Sequence, residues 1–158
     1  MKKIIALFFV ALVAVSMTFA FEFRSVGIET GEGILFSAGA DINDDLDVYA
    51  RFGYTGYFGI SFGAQYRVAD LKISNTVLPI KPGAQLGFDF GNSHFGFTLM
   101  GTVSFSYDAD VFRAFVRPGI GLGLSTYSYY SYYEDKRVTN TDAYFAWTIE
   151  TGVAFLFK

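Results

Sequence analysis

From Val111 to the C-terminus, bulky apolar residues alternate with small or polar ones. In the last run, one face carries Phe145, Trp147, Ile149, Thr151, Val153, Phe155 and Phe157. The other face carries Tyr144, Ala146, Thr148, Glu150, Gly152 and Ala154. Successive side chains of a β-strand point to opposite faces, so this run predicts a strand with one apolar and one small, polar face. Because only helices and closed barrels pair all their backbone polar groups in lipid, the pattern predicts membrane-spanning strands.

The first twenty residues are typical of a cleaved secretory signal peptide. Lys2 and Lys3 give a positive start, and the apolar run that follows, residues 4–15, is shorter than a membrane-spanning helix. Thr18-Phe19-Ala20 resembles a small-x-small cleavage site. We therefore assign residues 1–20 to a signal peptide and residues 21–158 to a single domain.

Composition excludes several classes of protein. Without the two signal lysines, ten basic residues stand against fifteen acidic ones, a net charge of about −5, so nucleic acid is not an expected partner. An exported chain with no cysteine is not a disulfide-stapled scaffold. Seventeen glycines and no apolar period of 3.6 residues argue against helices.

Alternation predicts eight strands. They cover about residues 21–30, 33–42, 46–55, 57–68, 77–90, 94–107 and 111–126, followed by the last run through Phe157. In the first strand, Phe21 and Phe23 fall opposite Val26 and Ile28, which a bulge near Arg24 or Ser25 would reconcile. Short polar connections rich in turn formers join most of the strands. The predicted fold is all-β, an eight-stranded antiparallel up-and-down transmembrane barrel.

The size of the polar-face residues decides which face meets lipid. A soluble barrel would carry long charged side chains outside, whereas this face is mostly Gly, Ser, Thr and Ala, which suit the narrow interior of an eight-stranded barrel. The charged residues of that face form a predicted lumen network: Arg51, Arg67, Lys81, Asp89, Arg113, Arg117 and Glu150, with Asp41 and Asp47 as further partners. Buried charges must be paired, so the network is either a salt-bridged plug or the lining of a narrow, selective channel.

Together these features resemble the small eight-stranded outer-membrane barrels of the OmpX type, the OmpA transmembrane domain and the OmpW type. The resemblance covers residues 21–158 and rests on architecture, not on a sequence motif. It implies an outer-membrane location, contact with outer-membrane lipid and both termini in the periplasm. It also implies that the barrel-assembly machinery reads Val153, Phe155 and Phe157, although here Lys158 follows the last aromatic residue.

The longest predicted outer loop, residues 127–141, is rich in tyrosine: Tyr127, Tyr129, Tyr130, Tyr132 and Tyr133. Exposed tyrosine clusters often bind partners, here a host or extracellular ligand. The alternative is that the flanking strands extend beyond the bilayer and the tyrosines form an interfacial aromatic girdle.

Barrels of this size also include lipid-modifying enzymes, which need histidine, serine and a carboxylate at the outer rim. His94 lies beside Ser93 and near Asp89, but adjacent strand residues point to opposite faces, which spoils a proton relay. We expect no catalytic residues, no metal and no cofactor. The predicted function is structural or surface-interactive (adhesin-like) through residues 127–141. The alternatives are a narrow channel for small solutes, or for small apolar molecules as in the OmpW type, and then a lipid-modifying enzyme.

Overall fold

The computed structural model describes residues 22–31, 33–54, 56–133 and 135–157. The predicted signal peptide, Phe21 and Lys158 lie outside the described residues. The strands are β1 (Glu22–Thr30), β2 (Ile34–Asp41), β3 (Leu46–Tyr54), β4 (Phe58–Tyr66), β5 (Ala69–Ile73), β6 (Thr76–Phe90), β7 (His94–Asp108), β8 (Phe112–Ser131) and β9 (Lys136–Leu156). The described chain contains no helix long and apolar enough to cross a membrane.

The strands form one antiparallel, up-and-down sheet in a ring-like arrangement. Neighbours follow the order β4-β3-β2-β1-β9-β8-β7-β6-β5, and β4 also pairs with β6. The first and last strands are joined from Ser25↔Leu156 to Thr30↔Thr151. We call the end where β1 begins and β9 finishes the terminal end. The opposite end, with the β1–β2, β3–β4, β6–β7 and β8–β9 connections, is the distal end.

The described residues form nine strands where alternation predicts eight. The extra strand is β5, which pairs with the first part of β6, from Ala69↔Ile80 to Ile73↔Thr76. β4 pairs with the later part of β6, from Gln65↔Gly83 to Phe58↔Phe90. Alternation missed β5 because it treats the residues between β4 and β6 as one connection. In the structure, β5 lies within that connection, and a turn at Ser74 and Asn75 joins it to β6. Ser74 adopts a positive φ of 56°, as a tight turn requires.

The irregularity of β1 lies where the sequence predicts it. The register with β2 shifts between Phe23 and Ser25, so that Arg24 is the extra residue of a bulge. After the bulge the alternation is regular: Gly27 and Glu29 are buried, whereas Val26 and Ile28 are exposed. The bulge therefore determines which side chains of β1 point into the ring.

The segment predicted as the outer loop 127–141 is mostly strand, which corrects the loop assignment and agrees with the alternative in which the flanking strands extend. β8 and β9 pair without interruption from Phe112↔Phe155 to Ser131↔Lys136. The β7–β8 pairing ends at His94↔Tyr127, so the last four pairs of the β8–β9 hairpin have no third strand. At about 3.4 Å per residue, this hairpin projects roughly 14 Å beyond the distal end.

Candidate functional site

The interior of the ring is polar and its exterior is apolar, the reverse of a water-soluble domain. Among the described residues, fourteen polar or charged residues are buried, against only three apolar ones, Met100, Phe115 and Ala154. The same residues include 38 large hydrophobic side chains that are exposed. The buried polar and the exposed apolar side chains alternate along the strands with a period of two, so the polar groups converge in the ring interior. We therefore take the ring interior as the candidate site.

Four buried charges form a closed cycle of ion pairs near the middle of the ring. Arg51 Nη1 lies 2.6 Å from Glu150 Oε2 and 3.2 Å from Glu29 Oε2. Arg117 Nη1 lies 3.1 Å from the same Glu150 oxygen and 3.2 Å from the same Glu29 oxygen. We call these four residues the ion quartet. Because β3 and β8 are not neighbours in the sheet, the quartet joins opposite walls across the interior.

Neutral side chains add further contacts around the quartet, although Arg117 Nε has no protein partner among the described residues. Arg51 Nε donates to Ser61 Oγ at 2.9 Å, and Gln85 Nε2 donates to Glu150 Oε1 at 3.4 Å. The Tyr49 hydroxyl donates to Gln85 Oε1 at 3.0 Å, and the Arg117 guanidinium lies over the Tyr49 ring, 4.0 Å from its centroid. Such contacts are what makes buried charge tolerable, because each lone pair that lacks a partner carries a desolvation cost.

A second cluster of charges lies nearer the terminal end. Lys81 pairs with Asp47, and Arg113 Nη1 lies 3.6 Å from the same Asp47 oxygen. Arg113 also makes a two-point contact with Asp108, at 2.7 Å for each bond. Paired N–H groups of one guanidinium on one carboxylate form the strongest type of ion pair. The terminal part of the interior is therefore charge-paired as well.

A cavity lies on each side of the ion quartet, which contributes to the lining of both. The distal cavity has a volume of about 280 Å³ and is lined by residues that include Leu35, Ser61, Asp89, Thr98 and Tyr144. The terminal cavity has only about 40 Å³. Its lining includes Gln65, Ser106 and Arg117, three residues that each have a buried polar atom without a protein partner. A cavity of this size accommodates one to three water molecules that would satisfy such atoms.

Five of the seven predicted network residues lie in these two clusters: Arg51, Lys81, Arg113, Arg117 and Glu150. Arg67 does not. It follows the end of β4, is half-exposed and pairs with Asp70 at 2.7 Å, because the chain turns there into β5. Asp89 lines the distal cavity but has no ion pair with the clusters.

Glu29 is the member of the quartet that sequence reasoning missed. It is the most buried large side chain in the described chain, 2% exposed, and it bonds both arginines. The bulge at Arg24 is the feature that would have identified Glu29 from the sequence. Glu29 is predicted to face inward only if the alternation is counted from the residues after the bulge.

The predicted contact tyrosines lie on the projecting hairpin. Tyr132 and Tyr133 are at its tip and almost fully exposed, and Tyr127 and Tyr129 stack with ring centroids 6.3 Å apart. The Tyr130 hydroxyl donates to an Asp135 carboxylate oxygen. This hydrogen bond raises the pKa of the Tyr130 phenol above its ordinary value, because the proton is held between two oxygens. Within the described residues, then, the tyrosines form an exposed aromatic surface.

The rim histidine lies close enough to Asp89 to interact with it electrostatically, as expected, but its ring contacts other residues than Ser93. The His94 ring stacks on Tyr57 at 3.8 Å between centroids, and its Nδ1 lies 3.5 Å from Ser125 Oγ. The Ser93 hydroxyl instead accepts a hydrogen bond from Arg137 at 3.4 Å. Ser93 and His94 are therefore not coupled. No group of three or more potential metal ligands occurs in the part of the chain that the structure describes.

No family model and no curated protein matches the chain. Among solved structures, the chain is similar to the KdgM porin in complex with disordered oligogalacturonate. The identity is 11%, the match covers 85% of this chain and 99% of that chain, and the TM-score is 0.28. A TM-score this low assigns neither a fold nor a function to this chain.

Proposed function

We propose that the protein is an integral outer-membrane β-barrel protein, exported by residues 1–20 and spanning the membrane with residues 21–158. One observation carries the proposal: the ring is polar inside and apolar outside. A soluble protein rarely exposes a contiguous apolar patch larger than a few hundred Å². Here exposed apolar side chains occur on every strand of the ring, among them Ile28, Phe36, Phe52, Leu122 and Trp147.

The spanning unit is an eight-stranded barrel in which β4 and β5 act as one interrupted strand. Both pair with β6, on successive stretches, and β4 closes the ring. A tilted strand needs about 9–11 residues to cross the hydrocarbon. Strands β1 to β4 have 8 or 9 residues each, close to this minimum, and β5 adds 5 residues to β4, whereas β6 to β9 have 15 to 21. The excess of β8 and β9 is the projecting hairpin.

The strand order supports an orientation with the terminal end in the periplasm and the distal end facing outside, as in the small outer-membrane barrels that the sequence resembles. In that orientation the long β8–β9 hairpin faces outside and the short turns face the periplasm. Val153, Phe155 and Phe157 remain exposed on one face of the C-terminal segment, as recognition by the assembly machinery and contact with outer-membrane lipid require.

The role we propose is structural and surface-interactive, without catalysis and without a wide pore. The projecting hairpin supplies the contact surface, since its tyrosines offer large amphipathic area at low entropic cost. The two-sided pairing of every quartet charge supports an interior that is filled rather than open. A host or extracellular ligand would bind at Tyr132 and Tyr133.

The test is the electrophoretic mobility of detergent-folded residues 21–158, unheated against boiled. The proposal expects a band that shifts on heating, together with strand-dominated circular dichroism. A chain that folds and stays monomeric in buffer without detergent would refute the membrane assignment.

A narrow channel is the second candidate, because cavities lie on both sides of the quartet. Planar-bilayer conductance distinguishes it from the filled barrel. Single-channel current that changes in Arg117→Ala or Glu150→Ala, and not in Arg24→Ala at the terminal rim, supports the channel. No current from protein whose insertion is shown by heat modifiability supports the filled barrel.

A further inference from the structure

The lining of the distal cavity includes one carboxylate, that of Asp89, which is not part of a salt bridge. Its floor is formed by Arg51 and Glu150 of the quartet, whose charges balance within the quartet. Its walls include the hydroxyl groups of Ser61, Thr98 and Thr148, which are neutral. Asp89 adds a carboxylate that has no hydrogen bond or salt bridge within the described chain; its titratable neighbour is His94 at the distal rim, which interacts with it electrostatically. The open space therefore has at its wall one carboxylate that no lysine or arginine of the described chain pairs with.

Two glycines keep space for this carboxylate. A Cβ atom added at Gly59 would lie 2.9 Å from Asp89 Oδ1, and one added at Gly96 would lie 3.2 Å from Asp89 Oδ2. These glycines lie on the strands on either side of Asp89, opposite it in the register. Any larger residue at either position would press on the carboxylate. The carboxylate is consequently accommodated on both sides, and the His94 ring is the one titratable group beside it among the described residues, with Nε2 3.3 Å from the same added Cβ at Gly96.

The remaining lining is suited to a small, partly apolar body. Leu35, Met100 and the ring of Tyr144 contribute apolar surface, and the Tyr144 hydroxyl is 3.5 Å from Thr98 Oγ1. The volume of about 280 Å³ lies just below the range of about 300–1,000 Å³ for drug-sized ligands, so the occupant is smaller than a drug molecule. A metal ion is a poor fit, because Ca²⁺ needs six to eight oxygen ligands and Asp89 is the one unpaired carboxylate of the lining.

We propose that the distal cavity binds a small organic ammonium ion, with its cationic group on the Asp89 carboxylate and its carbon chain against Met100 and Tyr144. A charge-assisted hydrogen bond to a partly enclosed carboxylate is about twice as strong as a neutral one. A neutral or anionic molecule of the same size gains no such bond. Binding needs only the folded chain, whereas access from outside the cell rests on the orientation proposed above.

Met100 provides a direct probe, because it is the only methionine in residues 21–158 and it lines the cavity. The experiment records the ¹³C-methyl resonance of Met100 in protein folded in an uncharged maltoside detergent. The titrants are butylammonium, 1-butanol and butyrate, which share a carbon chain and differ in charge. We expect a saturable shift with butylammonium and an affinity at least tenfold weaker for the other two.

Two variants and a control complete the test. Asp89→Asn should weaken butylammonium binding at least tenfold. Gly87→Leu should block it, since a Cβ at Gly87 meets only ordinary contacts at 3.6 Å and beyond, so that a leucine would fill the cavity. Asp110→Asn, at the exposed terminal rim, should leave binding unchanged.

No saturable shift, equal shifts with all three titrants, or unchanged binding in Asp89→Asn would overturn the proposal. The heat-induced band shift, recorded on every sample, separates this result from failure of the barrel assignment. A chain that shows the band shift but binds no ammonium contradicts the cavity proposal alone.

Discussion

Removal of Arg51 from the ion quartet should destabilise the folded protein strongly. Arg51 is 3% exposed and contacts Glu150 at 2.6 Å and Glu29 at 3.2 Å. At an effective dielectric constant of about 20, each contact has a gross attraction of roughly 5–6 kcal/mol, most of which offsets the cost of removing the charges from water. Arg51→Met would leave two carboxylates with one arginine. Breaking such a buried set costs about 3–5 kcal/mol, because one charge stays buried without a partner.

The double variant tests whether charge balance is the cause. In Arg51→Met/Glu150→Gln, the remaining pair is Arg117 with Glu29, 3.2 Å apart and electrically balanced. We therefore expect the double variant to be less destabilised than the sum of the two single variants by about 2 kcal/mol, within the range of coupling measured for directly contacting residues. Arg24→Met is the matched control, because Arg24 pairs with Asp41 in an exposed position, where an ion pair contributes about 0–1 kcal/mol.

The assay is reversible urea unfolding of the chain in lipid vesicles, followed by Trp147 fluorescence and by the fraction of heat-modifiable band. Equal midpoints for Arg51→Met and Arg24→Met would refute the reasoning. So would strict additivity in the double variant, because the quartet would then not act as one electrostatic unit.

Three further results are expected. Leu122→Arg, on the exposed outer face, should cost about 2–4 kcal/mol of unfolding free energy in vesicles relative to Leu122→Ala, because it places a charge in hydrocarbon; an equal cost for both would contradict a lipid-facing position. Replacing residues 129–138 with Asn-Gly should leave the heat-modifiable band intact, since in the described sheet their backbone is paired only between β8 and β9 and the replacement removes a side-chain bond to the ring, Arg137 to Ser93; loss of that band would show that the projecting hairpin is needed for folding. Asp135→Ala should lower the pKa of Tyr130 to its ordinary value, as followed by the ¹³Cζ shift during alkaline titration, and an unchanged pKa would show that the hydrogen bond is absent in solution.

Strand periodicity predicts most of this fold because the period of two is enforced along every strand by what each face must touch. Arg117 and Glu150 could be paired from sequence alone, since both follow the inward parity of long, regular strands. Glu29 could not be assigned in the same way, because its parity depends on whether the chain bulges at Arg24, a backbone event that leaves only an ambiguous apolar pattern.

Two other features depend on tertiary pairing. β5 contains Asp70 and Lys72 and reads as a polar connection, yet its backbone pairs with β6. Likewise, the sequence of residues 127–141 predicts a loop, because both faces carry polar or aromatic residues there. Where neither lipid nor lumen contacts the strands, the two faces have the same environment, so no apolar–polar alternation marks them as strands. The pairing of β8 with β9 continues through this region because the strands are already in register.

The most direct test of the inside-out arrangement uses the only tryptophan in the chain, Trp147, which is 65% exposed on the outer face of β9. Residues 21–158 are folded into vesicles that contain lipids brominated along the acyl chain, and Trp147 emission is measured with and without aqueous iodide. The barrel assignment predicts blue-shifted emission that brominated lipid quenches and iodide does not. Red-shifted emission that iodide quenches and brominated lipid leaves unchanged would show that the apolar face of the ring does not meet the membrane.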